Sequence, residues 1–163
     1  MREFTVGLGG ATLANAVVTL VFVNPAAAPN VNLEFLRFWV GQSANATSAQ
    51  QRVELETQVS AFPTVVSATP AKLKRHDGAV SIIAGGTAGA AGTCGVNASA
   101  EGAGAKTVIL DDAFNVLNGW LLVPTPSETI VMPAQSTSGL GLYFPVAAAT
   151  LTNWTFGLNF REV

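Results

Sequence analysis

From Asn153 to Val163 the chain reads "NWTFGLNFREV", and its large apolar residues fall on every second position. Trp154, Phe156, Leu158 and Phe160 share one side of an extended backbone; Asn153, Thr155, Gly157, Asn159 and Arg161 share the other. Period-two patterning of this length specifies a strand with one buried face. A second stretch, "RVELETQVSA", repeats it. There Val53, Leu55, Thr57, Val59 and Ala61 face one way, and Arg52, Glu54, Glu56 and Gln58 face the other, which reads as solvent.

Further strand candidates are "EFTVGLG", "VVTLVFV", "TVVSA", "AVSIIAG", "TVIL", "GWLLVP", "ETIVMP" and "GLGLYFP". The eight prolines fall between them or at their ends, where no ladder N–H is needed. "VNLEFLRFWVG" is apolar on both sides, with Leu33, Phe35 and Trp39 opposite Leu36, Phe38 and Val40. Such a strand is packed on both faces or lies in a subunit interface. Helix signals are sparse. "LDDAFNVLNG" offers an Asp111 or Asp112 cap, a Phe114/Leu117 face and a Gly119 stop. The expected fold is all-β, with at most one or two short helices. It is a single sandwich, with a jelly roll as the specific choice, or a barrel-like domain. Residues 31–163 would form that sandwich, and residues 1–30 an extended N-terminal arm or edge strands.

Bulk numbers bound what such a domain does. Charged residues make up 11% of the 163 and hydrophobic ones 49%, against about 25% charged in an ordinary soluble domain. A compact monomer of 16.7 kDa exposes roughly 7,600 Å². Spread over that area, 8 basic and 10 acidic residues leave roughly 400 Å² per charge. So much uncharged surface points to coverage by other subunits. The net charge of −2 argues against nucleic acid as a direct partner. The basic run Lys72-Leu73-Lys74-Arg75-His76 reads as a solvated turn. No membrane partner is expected either: the N-terminal apolar run Ala16–Val23, interrupted by Thr19, is too short to span a bilayer. Glu3 beside Arg2 also removes the positive start of a signal peptide.

Candidate chemistry is thin. "GGTAGAAGTCGVNASAEGAGAKT", Gly85–Thr107, looks like a phosphate-binding loop but fits neither common template. An extra alanine separates Gly104 from Lys106-Thr107, and Gly86, Gly89 and Gly92 recur at intervals of three. The stretch reads as a long surface loop whose small side chains lie flat against another subunit. Cys94 is a lone cysteine, so no internal disulfide or CxxC pair exists. Pairing it with His76 as nucleophile and base has no local support. Among carboxylates, Glu54 and Glu56 share a solvent-facing strand side, and Asp111 and Asp112 belong to a helix cap; neither pair suits glycoside hydrolysis. No cofactor or metal site is expected. The sequons at Asn45, Asn97 and Asn153 carry no glycosylation reading. Trp39, Trp120 and Trp154 are read as core or interface anchors in preference to a sugar-stacking platform.

Three stretches carry a resemblance: "RFWVGQSANATSAQQRVELETQVSAFPTVVSATPAKL", "NASAEGAGAKTVILDDAFNVLNGWLLVPTPSE" and "GLGLYFPVAAATLTNWTFGLNF". Across about residues 35–160 the chain resembles capsid cement (decoration) proteins of short-tailed bacteriophages. The resemblance implies a non-enzymatic structural protein of the virion, seated on the capsid surface. It would bind the major capsid protein and itself, most simply as a homotrimer. Contact residues expected on this reading are Phe4, Val6 and Leu8 in the arm, Phe35, Phe38 and Trp39 in the two-faced strand, and Gly86, Gly89 and Gly92 in the glycine loop. The second reading is a β module of a phage fibre or adhesin that binds a host receptor or glycan.

Overall fold

The computed structural model describes residues 2–44, 47–74, 78–134 and 137–163. In chain order the strands are β1 (Arg2–Ala11), β2 (Val18–Asn24), β3 (Leu33–Gln42), β4 (Gln50–Val59), β5 (Thr64–Ser67), β6 (Ala71–Lys72) and β7 (Ala84–Gly85). They continue with β8 (Thr93–Ala100), β9 (Lys106–Asn115), β10 (Trp120–Leu122), β11 (Ile130–Met132), β12 (Ser138–Phe144) and β13 (Trp154–Glu162). No helix occurs among the described residues. Sheet A runs β10-β3-β13-β1-β6, with β11 also on β3; sheet B runs β5-β8-β2-β12-β4-β9, with β7 on β8. All pairings are antiparallel except β7 with β8.

Two open sheets face each other, so the fold is a sandwich and not a closed barrel. The orders β1-β13-β3-β10 and β2-β12-β4-β9 are those of a jelly roll, in which successive strands cross from one sheet to the other. The segment containing β5 to β8 is an insertion between β4 and β9, and its longer strands extend sheet B beyond β2.

The alternation seen in sequence seals this sandwich. Trp154, Phe156, Leu158 and Phe160 are fully buried, as are Val53 and Leu55. Phe4, Phe35 and Phe38 join Phe160 in one aromatic group, with Phe4 and Phe160 centroids 5.6 Å apart. Phe114, Phe144 and Trp154 form a second, edge-to-face around the indole. All eight prolines lie outside the strands.

Four expectations are corrected. Of the arm and the edge strands expected at the N-terminus, residues 2–30 carry strands and not a loose arm: β1 pairs along its length with β13, although β6 covers its other side at only two positions, and β2 lies between β8 and β12. Phe4 and Val6 alternate inward there because β1 completes the core. The supposed helix at 110–119 is the end of β9 and a turn, because strand pairing with β4 overrides the weak cap signal. In β3, a register break at Leu36 shifts the parity, so Phe35 and Phe38 both face the core while Trp39 faces outward. The glycine-rich stretch contains strand β8, a member of sheet B between β5 and β2, whose small residues Cys94, Val96 and Ala98 are buried in the core.

Candidate interaction surface

Four of the expected contact residues, Phe4, Val6, Phe35 and Phe38, are buried and belong to the monomer core. Leu8 is 37% exposed near the end of β1, and Trp39 is half-buried on the outer face of sheet A. The glycine contacts are made within the chain. A Cβ at Gly89, where φ is +59°, would stand 2.7 Å from Phe62 Cβ and 3.1 Å from Phe22 Cε1. One at Gly86 would stand 2.7 Å from Thr93 Cβ, and one at Gly92 would stand 3.2 Å from Ala26 Cβ. The glycines therefore let this loop close on its own sheet, against Phe22, Phe62 and Thr93.

The polar side of β4 is also covered. Glu54 and Glu56 are 8% and 1% exposed, and Gln58 is fully buried. The solvent-facing reading of "RVELETQVSA" is thus wrong for its acidic side. Lys106 answers Glu56 at 2.7 Å and Glu101 at 3.1 Å, with its Nζ 3.5 Å from the Tyr143 ring centroid. Glu101 in turn accepts from the Thr19 backbone N–H at 2.7 Å and its hydroxyl at 2.6 Å. Burial pushes the Glu56 carboxyl above its ordinary range, and Lys106 only partly opposes it. For Lys106, burial works to lower the ammonium, but the hydrogen bonds and charges of Glu56 and Glu101 outweigh it and raise the pKa. Tyr143 is raised by burial as well. This cluster went unseen in sequence because its members come from four strands and a loop; a lysine opening the apolar "TVIL" was its one local sign.

A second, separate ion-pair set lies on β4 and β9. Arg52 pairs with Glu54 at 3.0 Å and with Asp111 at 2.6 Å, so Asp111 is a strand residue in an ion pair and caps nothing. Asp112 accepts from Trp120 Nε1 at 3.0 Å, joining the edge of sheet B to that of sheet A. Cys94 is buried, its Sγ 2.7 Å from Ala68 O, and desolvation pushes the thiol up to about 12. It is a neutral core group at physiological pH. Lys74 pairs with Glu3 at 2.7 Å, while Arg75, His76, Asp77 and the sequon at Asn45 lie outside the described residues. Among the described residues no His, Cys, Asp and Glu cluster could hold a metal.

Some of the exposed apolar residues lie on the flank formed by the β9 and β10–β11 edges; Leu8, Val17, Val59, Val66, Leu73, Val80, Val146 and Val163 are exposed too. On the free edge of sheet B, Val108 and Ile109 are 49% and 46% exposed. Leu117 follows in the connecting turn, and Leu121, Val123 and Val131 are exposed on or beside β10 and β11 at the edge of sheet A. In sequence, the consecutive apolar residues of "TVIL" and "WLLV" carried this signal without saying which of them would be inside. No family model, curated protein or solved structure matches the chain.

Proposed function

We propose that the chain is a structural virion protein, a capsid cement protein that sits on the outside of the shell and clamps neighbouring major capsid protein subunits. It works through area and not through chemistry. The observation that carries the reading is the apolar flank of Val108, Ile109, Leu117, Leu121, Val123 and Val131 on adjoining sheet edges. Monomers that stay alone in water avoid such edges or charge them. The dilution of surface charge supports the same reading. The exposed area is 7,260 Å², and Glu54, Glu56 and Glu162 are buried within it. Surface charge is therefore sparser than composition alone implies. The sequence resemblance supplies the setting, a phage capsid with the protein as a trimer.

The test is to mix purified protein with expanded capsids that lack it and image them by electron microscopy. Ordered density at lattice positions is expected, and capsids that stay bare overturn the reading. The paired substitutions Ile109→Ser and Val123→Ser should leave the fold intact and abolish that density. Light scattering should give a mass above the 16.7 kDa monomer for the parent chain.

A further inference from the structure

Ten asparagines occur in the chain, and only Asn118 is followed by glycine. The pair sits in the turn between β9 and β10, on the flank whose exposed residues include Leu117 and Leu121. Asn115 holds the start of this turn. Its Oδ1 accepts the Leu117 N–H at 3.0 Å, and its backbone O accepts the Asn118 N–H at 2.9 Å. Nothing holds the groups that follow. Among the described residues neither the Asn118 carboxamide nor the Gly119 N–H has a hydrogen-bond partner. Asn118 is exposed and Gly119 half-exposed, and both border a depression of about 310 Å³ beside Gly41 and Leu121. Asn97 and Asn115 show the contrast. Asn97 Oδ1 accepts the Ala14 N–H at 2.8 Å while its Nδ2 donates to Thr12 O at 2.9 Å, and Ala98 follows it. Asn115 Nδ2 donates to Ser48 Oγ at 2.6 Å, and Val116 follows it.

We propose that Asn118 is a self-modifying residue that places a permanent negative charge on the flank. The step needs no enzyme. A base from solvent takes the Gly119 N–H proton, and the nitrogen attacks Asn118 Cγ to close a five-membered imide. The Cγ–Nδ2 bond breaks, and Nδ2 takes a proton and leaves as ammonia. Water then opens the ring at either carbonyl. Opening at one gives aspartate; opening at the other gives isoaspartate, with the backbone routed through Cγ. The sum is one water consumed and one ammonia released. Glycine at 119 favours the attack because no Cβ shields the nitrogen, and its φ of +69° is one that other residues rarely adopt. The carboxamide is free to turn toward it because it has no bond to break. The new carboxylate stands between Leu117 and Leu121, where any partner covering the flank must strip it of water. That consequence rests on the flank being the capsid contact: attachment weakens as the protein ages.

Peptide mapping by mass spectrometry tests the proposal on the full chain, kept for several weeks in warm, mildly alkaline buffer. The synthetic pentapeptide of residues 117–121 is kept beside it as a clock. Asn118 is expected to gain one mass unit, partly as isoaspartate, at a rate within about tenfold of the pentapeptide's. Asn97 and Asn115 should stay unchanged. Asn118→Gln, which would have to close a larger ring, should show no gain at that position. A chain intact at Asn118 when the pentapeptide has fully converted overturns the proposal, and so does faster conversion at Asn97 or Asn115. The consequence is read separately. Asn118→Asp should keep the parent's circular dichroism and lower occupancy on expanded capsids by about tenfold or more. Equal occupancy by the two chains overturns the role given to the charge. Capsids left bare by the parent chain count against the capsid reading alone, because the mass change is read on the free protein.

Discussion

The outer face of sheet B is covered by its own chain, whereas the outer face of sheet A is open across its middle. Both begin as strands with one apolar and one other side. On sheet B the insertion between β4 and β9 folds back over that other side. Phe62 packs on Phe22 with centroids 5.8 Å apart, and Glu101 reaches Thr19 and Lys106. Gln58 donates to the carbonyls of Ala61 and Glu101 at 3.0 and 2.8 Å. Among the described residues no insertion covers Trp39, Gly157 and Gly7 on sheet A; only the Arg37 side chain reaches over the indole, which stays half-exposed. The difference separates two uses of an aromatic residue on a sheet's outer face: Phe22 is enclosed under Phe62, and Trp39 lies on Gly157 with the Arg37 guanidinium 5.8 Å from its ring centroid.

The sharpest way to break this contrast is to remove each ring. Phe22→Ala empties a fully enclosed site between Phe62, Gly89 and Gly139 and should cost about 3–5 kcal/mol, read as a fall in the urea midpoint. Lys106→Met should come next, at about 2–3 kcal/mol near neutral pH, because it leaves Glu56 buried without its cation. That penalty depends on pH with a definite sign. A carboxyl whose folded pKa is raised favours the folded state when protonated, so the variant should recover as pH falls through the raised pKa of Glu56. The parent chain in turn loses the Lys106 contribution as pH rises through its raised pKa, above the ordinary 10.5. The gap between the two should therefore be widest in between; a gap independent of pH would mean that the ion pairs do not act as described. Trp39→Ala should have the smallest effect, about 1 kcal/mol or less, as for a half-exposed side chain. If it matched Phe22→Ala in thermal melts, the open face would have to be counted as part of the core.

Legibility in sequence followed the size of the side chains. β13 and the apolar side of β4 could be read because Trp154, Phe156, Leu158, Val53 and Leu55 are large and strictly alternate. β8 alternates too, but with Cys94, Val96 and Ala98 against Gly95 and Asn97, so its contrast disappears among neighbouring glycines and alanines. Phe35 and Phe38 were assigned to opposite faces because a one-residue bulge reverses parity, and no residue type marks it. Of the surfaces described, the flank residues and Trp39 were visible as apolar residues in strands, but their exposure was not.

The chain's own pattern determined an all-β fold punctuated by proline, a weakly charged surface and a single thiol. These follow from local alternation and from composition, which do not depend on what each strand meets. Tertiary structure alone decided which polar side is buried, which glycines close on their own sheet and which tryptophan faces water. In a jelly roll nearly every strand pairs with one distant in the chain, so Glu56 meets Lys106, and Trp39 meets Gly157, only once both sheets are assembled.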